Sequence, residues 1–342
     1  MKLNKIISIT FTFLLAVCIA SVANAQQEGK RVTIDNFVRA ESDHMIRANM
    51  KMGKLTVGKL THSRQPTTPE TQAVIRSNQD TLYSAVVLDL SKPVTVTLPE
   101  ICGRYMSAHV INQDHYMFVE TKPGDYHLTE KSVGTRFAIV WFRTFADVND
   151  PADIAEAHKA QDGIVVTGGG PGPFEAPDWN LEDLGIIRKA LNDVAALGFE
   201  TTYAFGRKDE VRPVDYLVGA AAGWAGLPSK ASFYVIDSVD KNDGTTPHVV
   251  TVKDVPVNAF WSITVYNKDG YLEPNDLNRN SYNNVTAKKN DDGSITIHFG
   301  GDPKSVNYLP ITKGWNYAVR MYQPRKEILD GSWTFPDVKP VE

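Results

Sequence analysis

Seven polar side chains are crowded into the eight positions from Arg76 to Tyr83, directly before an apolar run that ends at Leu90. A solvated loop rarely needs so many groups with defined hydrogen-bonding geometry. In a functional interpretation, Asn78, Asp80 and Tyr83 form a polar cluster at a pocket mouth, with Asp80 as general base or acceptor and Tyr83 as donor. In the structural alternative, Asn78 and Asp80 cap backbone groups in a tight corner and Tyr83 anchors a β corner. The structural alternative is favoured because Asx side chains so often close turns.

Two arginines lie at the ends of apolar strands, Arg104 after Gly103 and Arg143 after Phe142. An arginine in such a strand must find an acceptor, because burying an unpaired guanidinium is costly. Arg104 or Arg143 could act as a fork for a carboxylate or phosphate ligand. The alternative, slightly favoured, is an ion pair within the protein. The candidate partners are Asp80, Asp89 and Asp114.

The best metal candidates are His109, Asp114 and His115. In a straight strand the two histidines would share a face, but a turn at residues 112–114 would spoil that alignment. The sequence contains no His-x-His, His-Glu-x-x-His or paired-cysteine spacing, so we expect neither a metal centre nor another cofactor. His109 remains a candidate ligand-binding residue. Cys102 follows an apolar residue at a predicted strand start, and we expect it to be a small buried hydrophobe.

The C-terminal third of the chain is rich in tyrosine and tryptophan. Alternation within 260–267 places Trp261, Ile263 and Val265 on a core face, whereas Tyr266 lies on the opposite face. These aromatic side chains could form a stacking platform for a sugar or another flat ligand, or they could fill a sandwich core. Tyr266 and Tyr308 are therefore included among the candidate ligand-binding residues.

The first 25 residues have the pattern of a signal peptide. Lys2 and Lys5 precede an apolar segment at 6–20, and Ala23-Asn24-Ala25 is a small-x-small cleavage site. We therefore expect an exported protein, periplasmic or secreted. No other segment approaches the ~20 apolar residues of a transmembrane helix, so no stable membrane span is expected. The 342 residues carry a formal net charge of −4 without a basic block, which argues against nucleic acid as a partner.

Two β-rich regions and a helical connector must position these residues. A predicted helix at 32–52 lies within an N-terminal helix-and-loop segment, 26–70. Strands in a first β domain, 71–147, are predicted at 72–77, 82–90, 93–98, 104–111, 115–121, 125–129 and 136–143. The connector, 148–229, contains predicted helices at 154–161, 180–197 and 213–225. The second β domain, 230–342, has predicted strands at 231–237, 247–252, 259–267, 284–288, 294–299 and 315–322.

Several motifs resemble two families. Arg76-Ser-Asn-Gln-Asp-Thr-Leu-Tyr83, Gly103-Arg-Tyr105 and Trp141-Phe-Arg143 resemble the domain of unknown function numbered 1254. Phe260-Trp-Ser-Ile-Thr-Val-Tyr266, Arg320-Met-Tyr-Gln-Pro324 and Asp330-Gly-Ser-Trp333 resemble the domain numbered 1214. The resemblance implies a mainly β fold with a helical connector, in which an immunoglobulin-like sandwich precedes a jelly-roll-like domain. It implies no settled activity. The usual Asn-Trp-Leu-Pro of the second family reads Asn307-Tyr-Leu-Pro310 in this chain.

Three functional hypotheses follow. The preferred one is binding of a small polar or amphipathic molecule, sugar-like or an organic acid, in a β-domain pocket. The second is a hydrolase or lyase of small extracytoplasmic compounds, in which Asp80 or His109 is the base and Arg104 or Arg143 stabilises negative charge. The third is a structural or assembly role, including a homo-oligomer, with exposed aromatic side chains at the interface. No motif identifies a catalytic residue.

Overall fold

The computed structural model describes residues 29–72 and 74–341. The predicted signal peptide lies outside the described residues. The described chain is mainly β, with several antiparallel sheets and a few helices, which confirms the predicted class. Within the described residues, no helix is long and apolar enough to cross a membrane.

The first β unit consists of two sheets that share one core. The five-stranded sheet has the order β1-β2-β7-β4-β5, and the second sheet has the order β6-β3-β8. The strands are β1 (Thr61–His62), β2 (Thr81–Asp89), β3 (Val94–Leu98), β4 (Met106–Asn112), β5 (Met117–Glu120), β6 (Gly124–Leu128), β7 (Phe137–Phe145) and β8 (Val165–Gly168). Val86, Val96 and Val140 are among the buried side chains between these sheets. Successive side chains of a strand point to opposite faces of the sheet. The residues next to these valines therefore lie on the other face of the five-stranded sheet, where a second layer can pack.

Helices form that second layer. The α-helices of this part of the chain are α1 (Phe37–Gly53), α2 (Glu130–Val133), α3 (Pro151–Asp162), α4 (Leu181–Ala195) and α5 (Pro213–Ala222). Helix α1 buries Ile46 against Ile111 and Ile139 of the five-stranded sheet. Helices α4 and α5 pack with α1 in a separate cluster that contains Phe37 and Leu184. The five-stranded sheet is therefore covered on both faces.

The second β unit also has two sheets, with orders β12-β11-β15-β9 and β14-β13-β10-β16. Its core lies between them and contains Trp261, Ile263 and Val265, as the alternation predicted. The strands are β9 (Ser232–Ser238), β10 (His248–Val252), β11 (Trp261–Tyr266), β12 (Ser281–Asn283), β13 (Ile295–Phe299), β14 (Tyr308–Leu309), β15 (Asn316–Tyr322) and β16 (Lys339–Pro340), with a short helix α6 (Lys326–Leu329).

Two predicted strands are turns. In 72–77, Arg76 adopts a left-handed φ of 52°, a conformation that ends an extended strand. In 284–288, the Asn283 Oδ1 accepts hydrogen bonds from the backbone N–H of Val285 at 3.0 Å and of Thr286 at 2.9 Å. Such an Asx turn removes the chain from the ladder. Apolar composition had suggested strands where polar contacts instead fold the backbone back.

Candidate functional site

The polar segment that follows Arg76 connects the two β units. The Asn78 Nδ2 donates to the Tyr322 hydroxyl at 2.8 Å, and the Tyr266 hydroxyl donates to the Ser77 carbonyl at 2.8 Å. The Asn78 Oδ1 also accepts from the backbone N–H of Asp80 at 2.8 Å. The turn-capping interpretation of Asn78 is thus confirmed, and the same side chain additionally holds the second unit.

Asp80 is linked to a buried arginine through two hydroxyl groups. Its Oδ1 lies 3.2 Å from the Ser281 hydroxyl, which lies 3.1 Å from the Thr264 hydroxyl. The Arg320 Nη1 donates to that Thr264 oxygen at 3.1 Å. We call Thr264 and Ser281 the hydroxyl chain. Asp80 and Arg320 are 2% and 4% exposed, so their opposite charges neutralise one another across this chain. Burial raises the pKa of Asp80, and Arg320 works against that rise.

The cavity beside Asp80 is too small for an organic substrate. It holds about 10 Å³ and is lined by Asp80, Gln79, Asp147 and Ser281 among others. That volume accommodates about one water molecule. Asp80 therefore does not meet a substrate in this arrangement, and its contacts favour a role in docking the two units.

A second arginine, Arg143, lies on the helix-facing side of the five-stranded sheet. Strand register places it between Tyr83 of β2 and Ser107 of β4, so the three side chains share one face. The Arg143 Nη1 lies 3.3 Å from the His109 Nδ1. Among the described residues, no carboxylate forms an ion pair with Arg143. We call this cluster the arginine site. It comprises Tyr83, Tyr105, Ser107, His109 and Arg143 of the first unit and Tyr234 and Tyr322 of the second.

His109 serves Arg143 as a neutral acceptor. It is fully buried, and burial, with Arg143 as the second cause, holds its pKa well below the ordinary 6.5. A neutral imidazole that accepts at Nδ1 carries its proton on Nε2, which lies 3.1 Å from the Met117 Sδ. Because the Nδ1 lone pair is used by Arg143, His109 is not available as a general base.

Three buried groups that can donate hydrogen bonds lie near Arg143. The hydroxyls of Tyr105 and Ser107 are buried and face each other, and neither they nor the buried indole Nε1 of Trp141 makes a further hydrogen bond with a described residue. Burial raises the pKa of Tyr105 to about 12, although the neighbouring Ser107 hydroxyl lowers it. The phenol therefore keeps its proton at neutral pH. Unpaired buried donors are costly, so this part of the molecule needs an acceptor.

Aromatic side chains from both units complete the site. Tyr83 and Trp141 meet edge to face, with ring centroids 6.1 Å apart, and the Arg143 guanidinium lies 5.5 Å from the Tyr83 ring centroid. Burial opposes the charge on Arg143, but the surrounding phenols, which include Tyr234, raise its pKa overall. Tyr83, Trp141 and Arg143 are half-buried and Tyr234 is 38% exposed. The guanidinium is thus partly accessible to solvent.

Arg104 lies elsewhere and is fully engaged. Its Nη2 and Nη1 bind the two carboxylate oxygens of Asp153 at 2.6 and 3.0 Å, and its Nη1 also donates to the Phe145 carbonyl at 2.7 Å. An internal ion pair was expected, but the partner is Asp153 rather than Asp80, Asp89 or Asp114. Arg104 lines a cavity of about 460 Å³ that Tyr105 also borders. Cys102 lines the same cavity and is exposed, so the prediction that it is buried was wrong.

The remaining candidates are distributed as follows. Tyr266 is buried at the interface between the units, where its hydroxyl accepts from Arg320 at 2.7 Å. Tyr308 is half-buried in β14, in the sheet remote from that interface. Asp114 pairs with Arg39. His115, considered as a metal ligand, accepts from the backbone N–H of Ala225 at 3.0 Å.

The structure thus brings Tyr83, His109 and Arg143 together and places Asn78, Asp80 and Tyr266 at the neighbouring interface. Sequence reasoning missed Ser107, Tyr105, Tyr234, Arg320 and Tyr322. Alternation along 315–322 could have placed Arg320 and Tyr322 on one face, opposite the apolar core residues.

Family comparison assigns both β units. Residues 57–168 match the model described as "Protein of unknown function (DUF1254)", and residues 231–326 match "Protein of unknown function (DUF1214)". The order is the one the motifs predicted. The chain therefore contains a match to each of these two domains, in that order, and helices α4 and α5 lie between the matches in sequence.

A solved structure shares the fold across nearly the whole chain. The VPA0106 protein from Vibrio parahaemolyticus superposes with a TM-score of 0.70 at 20% identity, over 90% of this chain and 98% of that one. A putative uncharacterized protein from Burkholderia cenocepacia gives a TM-score of 0.49 at 15% identity, over 90% of this chain and 88% of that one. The search of curated proteins found no match. Any functional conclusion must therefore come from the site itself.

Proposed function

We propose that this protein binds a small organic anion at the arginine site. The observation that carries the proposal is the half-buried guanidinium of Arg143, which has a neutral imidazole as its hydrogen-bond partner and no ion pair with a described carboxylate. A guanidinium presents five N–H donors in a fork that matches a carboxylate. A bound carboxylate would accept from the Arg143 N–H groups that do not bind His109, and from the buried hydroxyls of Ser107 and Tyr105.

The same observations favour an organic acid over a sugar. Sugar hydroxyl groups require acceptors as well as donors, and the arginine site presents mainly donors. Asp80, the nearby carboxylate, is already engaged with the hydroxyl chain. The aromatic platform expected in the second unit is largely core, since Trp261, Trp315 and Tyr317 are all buried there.

Binding is favoured over hydrolysis or elimination. His109 uses its Nδ1 lone pair on Arg143, and the cavity at Asp80 is too small for a substrate. Arg104 is committed to Asp153. The base and the anion-stabilising arginine that catalysis would need are therefore not both available at one place.

Isothermal titration of the full chain with acetate tests this proposal. We expect saturable binding that is lost in Arg143→Met, because a thioether cannot donate to the carboxylate. Arg325→Met is the matched control, since Arg325 is exposed and lies outside the arginine site. Acetate binding that survives Arg143→Met would refute the proposal, as would a failure of the unmodified chain to bind either acetate or benzoate.

We further propose that the chain is exported after removal of residues 1–25, so that the site operates outside the cytoplasm. Within the mainly β architecture, we interpret the first unit as an immunoglobulin-like sandwich and the second as a jelly-roll-like domain. Mass spectrometry of the protein recovered from a periplasmic extract tests the export proposal. A mature N-terminus at Gln26 is the expected result, and retention of residues 1–25 would contradict it.

A further inference from the structure

The charges near the arginine site indicate what kind of anion it takes, on the condition that it binds an anion as proposed above. Arg320 is linked to Asp80 through the hydroxyl chain, whereas Arg143 forms no ion pair with a described carboxylate. His109 is neutral. Arg143 is therefore left with one uncompensated positive charge. A singly charged ligand neutralises it, whereas a dianion would leave an excess negative charge in a half-buried, aromatic environment.

The donor geometry fits a carboxylate. Arg143 lies in register between Tyr83 and Ser107, so a planar group in front of the guanidinium would also approach the Ser107 hydroxyl. The hydroxyl of Tyr105 is buried and faces the same serine. A carboxylate has two oxygens that together accept about four hydrogen bonds. Its size and planarity match these donors.

The accessible side of the site is aromatic and apolar. Tyr83 and Trp141 are half-buried and form an edge-to-face pair. On the open edge strand β9 of the second unit, Tyr234 and Ile236 are 38% and 54% exposed. Strand register pairs Tyr234 with Arg320, which contacts the first unit through the Arg76 carbonyl, and the Tyr234 phenol raises the pKa of Arg143. A ligand body that extends from the carboxylate towards solvent would therefore lie along aromatic side chains of both units.

We propose that the arginine site selects singly charged carboxylates with an aromatic or other flat apolar body, held by Arg143 at one end and by Tyr83 and Tyr234 along the body. Ligand recognition then requires both β units, because Arg143 and Tyr83 belong to the first and Tyr234 belongs to the second. Small inorganic anions and neutral aromatic alcohols each satisfy one half of the site.

A matched ligand series tests the inference on the full chain by isothermal titration. Benzoate is compared with acetate, which lacks the ring, with benzyl alcohol, which lacks the charge, and with phenyl phosphate, which is largely dianionic above its second pKa. We expect benzoate to bind at least about tenfold more tightly than each of the others. Tyr234→Ala should bring the benzoate and acetate affinities close together. Tyr271→Ala is the control, because Tyr271 is a tyrosine of the same unit with a similar exposure of 40%.

The outcomes separate this inference from the proposed function. If benzoate, acetate and phenyl phosphate bind equally and all depend on Arg143, the site binds anions but the selectivity inferred here is wrong. The same conclusion follows if Tyr234→Ala and Tyr271→Ala behave alike. If no member of the series binds in an Arg143-dependent manner, both proposals fall.

Discussion

Replacing Arg143 by methionine should make the ligand-free protein more stable. Replacing a buried ion pair by well-packed apolar side chains of similar volume can stabilise a protein by about 1–4 kcal/mol, and removing a buried charge that has no ion partner gives up no such pair. Arg143 is half-buried, so the lower part of that range, about 2 kcal/mol, applies. The substitution leaves the His109 Nδ1 without its donor at 3.3 Å, which costs roughly 1 kcal/mol. The expected net gain in the free energy of unfolding is about 1 kcal/mol.

The comparison with Arg104→Met decides whether this reasoning is right. Arg104 has a bidentate partner in Asp153, with side chains 15% and 25% exposed, and its loss would strand that carboxylate. Breaking such a buried pair costs about 3 kcal/mol. Urea denaturation followed by circular dichroism, without added anions, should therefore show opposite signs for the two variants. If Arg143→Met loses as much stability as Arg104→Met, Arg143 is a structural residue and the anion site is refuted.

Three further substitutions test the interface and one buried histidine. Asp80→Asn should lower the free energy of unfolding by about 3 kcal/mol in urea titrations, because it leaves Arg320 buried without its anion; an unchanged value would show that Asp80 does not carry that charge. Tyr266→Phe should cost about 2 kcal/mol in the same assay, since its hydroxyl bridges Ser77 and Arg320 at 2.8 and 2.7 Å, and a neutral effect would contradict that role. Burial lowers the pKa of His115 from 6.5 to about 3, so the unfolded chain takes up the proton first and stability is lost as pH falls below 6.5. Between pH 7 and 5 this residue should account for about 2 kcal/mol of that loss, and His115→Gln should reduce the measured pH dependence by this amount; an unaltered dependence would disprove the assignment.

Local patterns predicted most of the elements but not the pairing of the functional side chains. The helical periodicity of 180–197 was sufficient to predict a helix, and the alternation of 259–267 was sufficient to predict a strand, because each element buries its own apolar face. The segment 72–77 was misassigned because its conformation depends on contacts made by its polar groups, such as that of the Arg320 Nη2 with the Arg76 carbonyl at 2.7 Å. That contact spans more than 200 residues and has no local signal.

The two arginines show the same limit within the site. Arg104 and Arg143 have similar sequence surroundings, and both interpretations, ion pair or ligand fork, applied equally to each. What separates them is Asp153, which α3 brings to Arg104 from 49 positions away. No carboxylate among the described residues forms an ion pair with Arg143, whose neighbour His109 is set by the register of β4 and β7. Strand register is a tertiary property, so sequence alone could nominate both arginines but could not choose between them.

The arrangement of charges explains why one arginine can be left free at a junction between two units. Arg320 and Asp80 come from different units and neutralise each other through Thr264 and Ser281, so docking of the units does not consume Arg143. Docking also places Tyr322 and Tyr234 around that guanidinium. The Asp80–Arg320 pair therefore stabilises the interface, while Arg143 keeps its charge for a ligand. This division predicts that interface substitutions such as Asp80→Asn weaken benzoate binding together with stability, whereas Arg143→Met abolishes binding and raises stability.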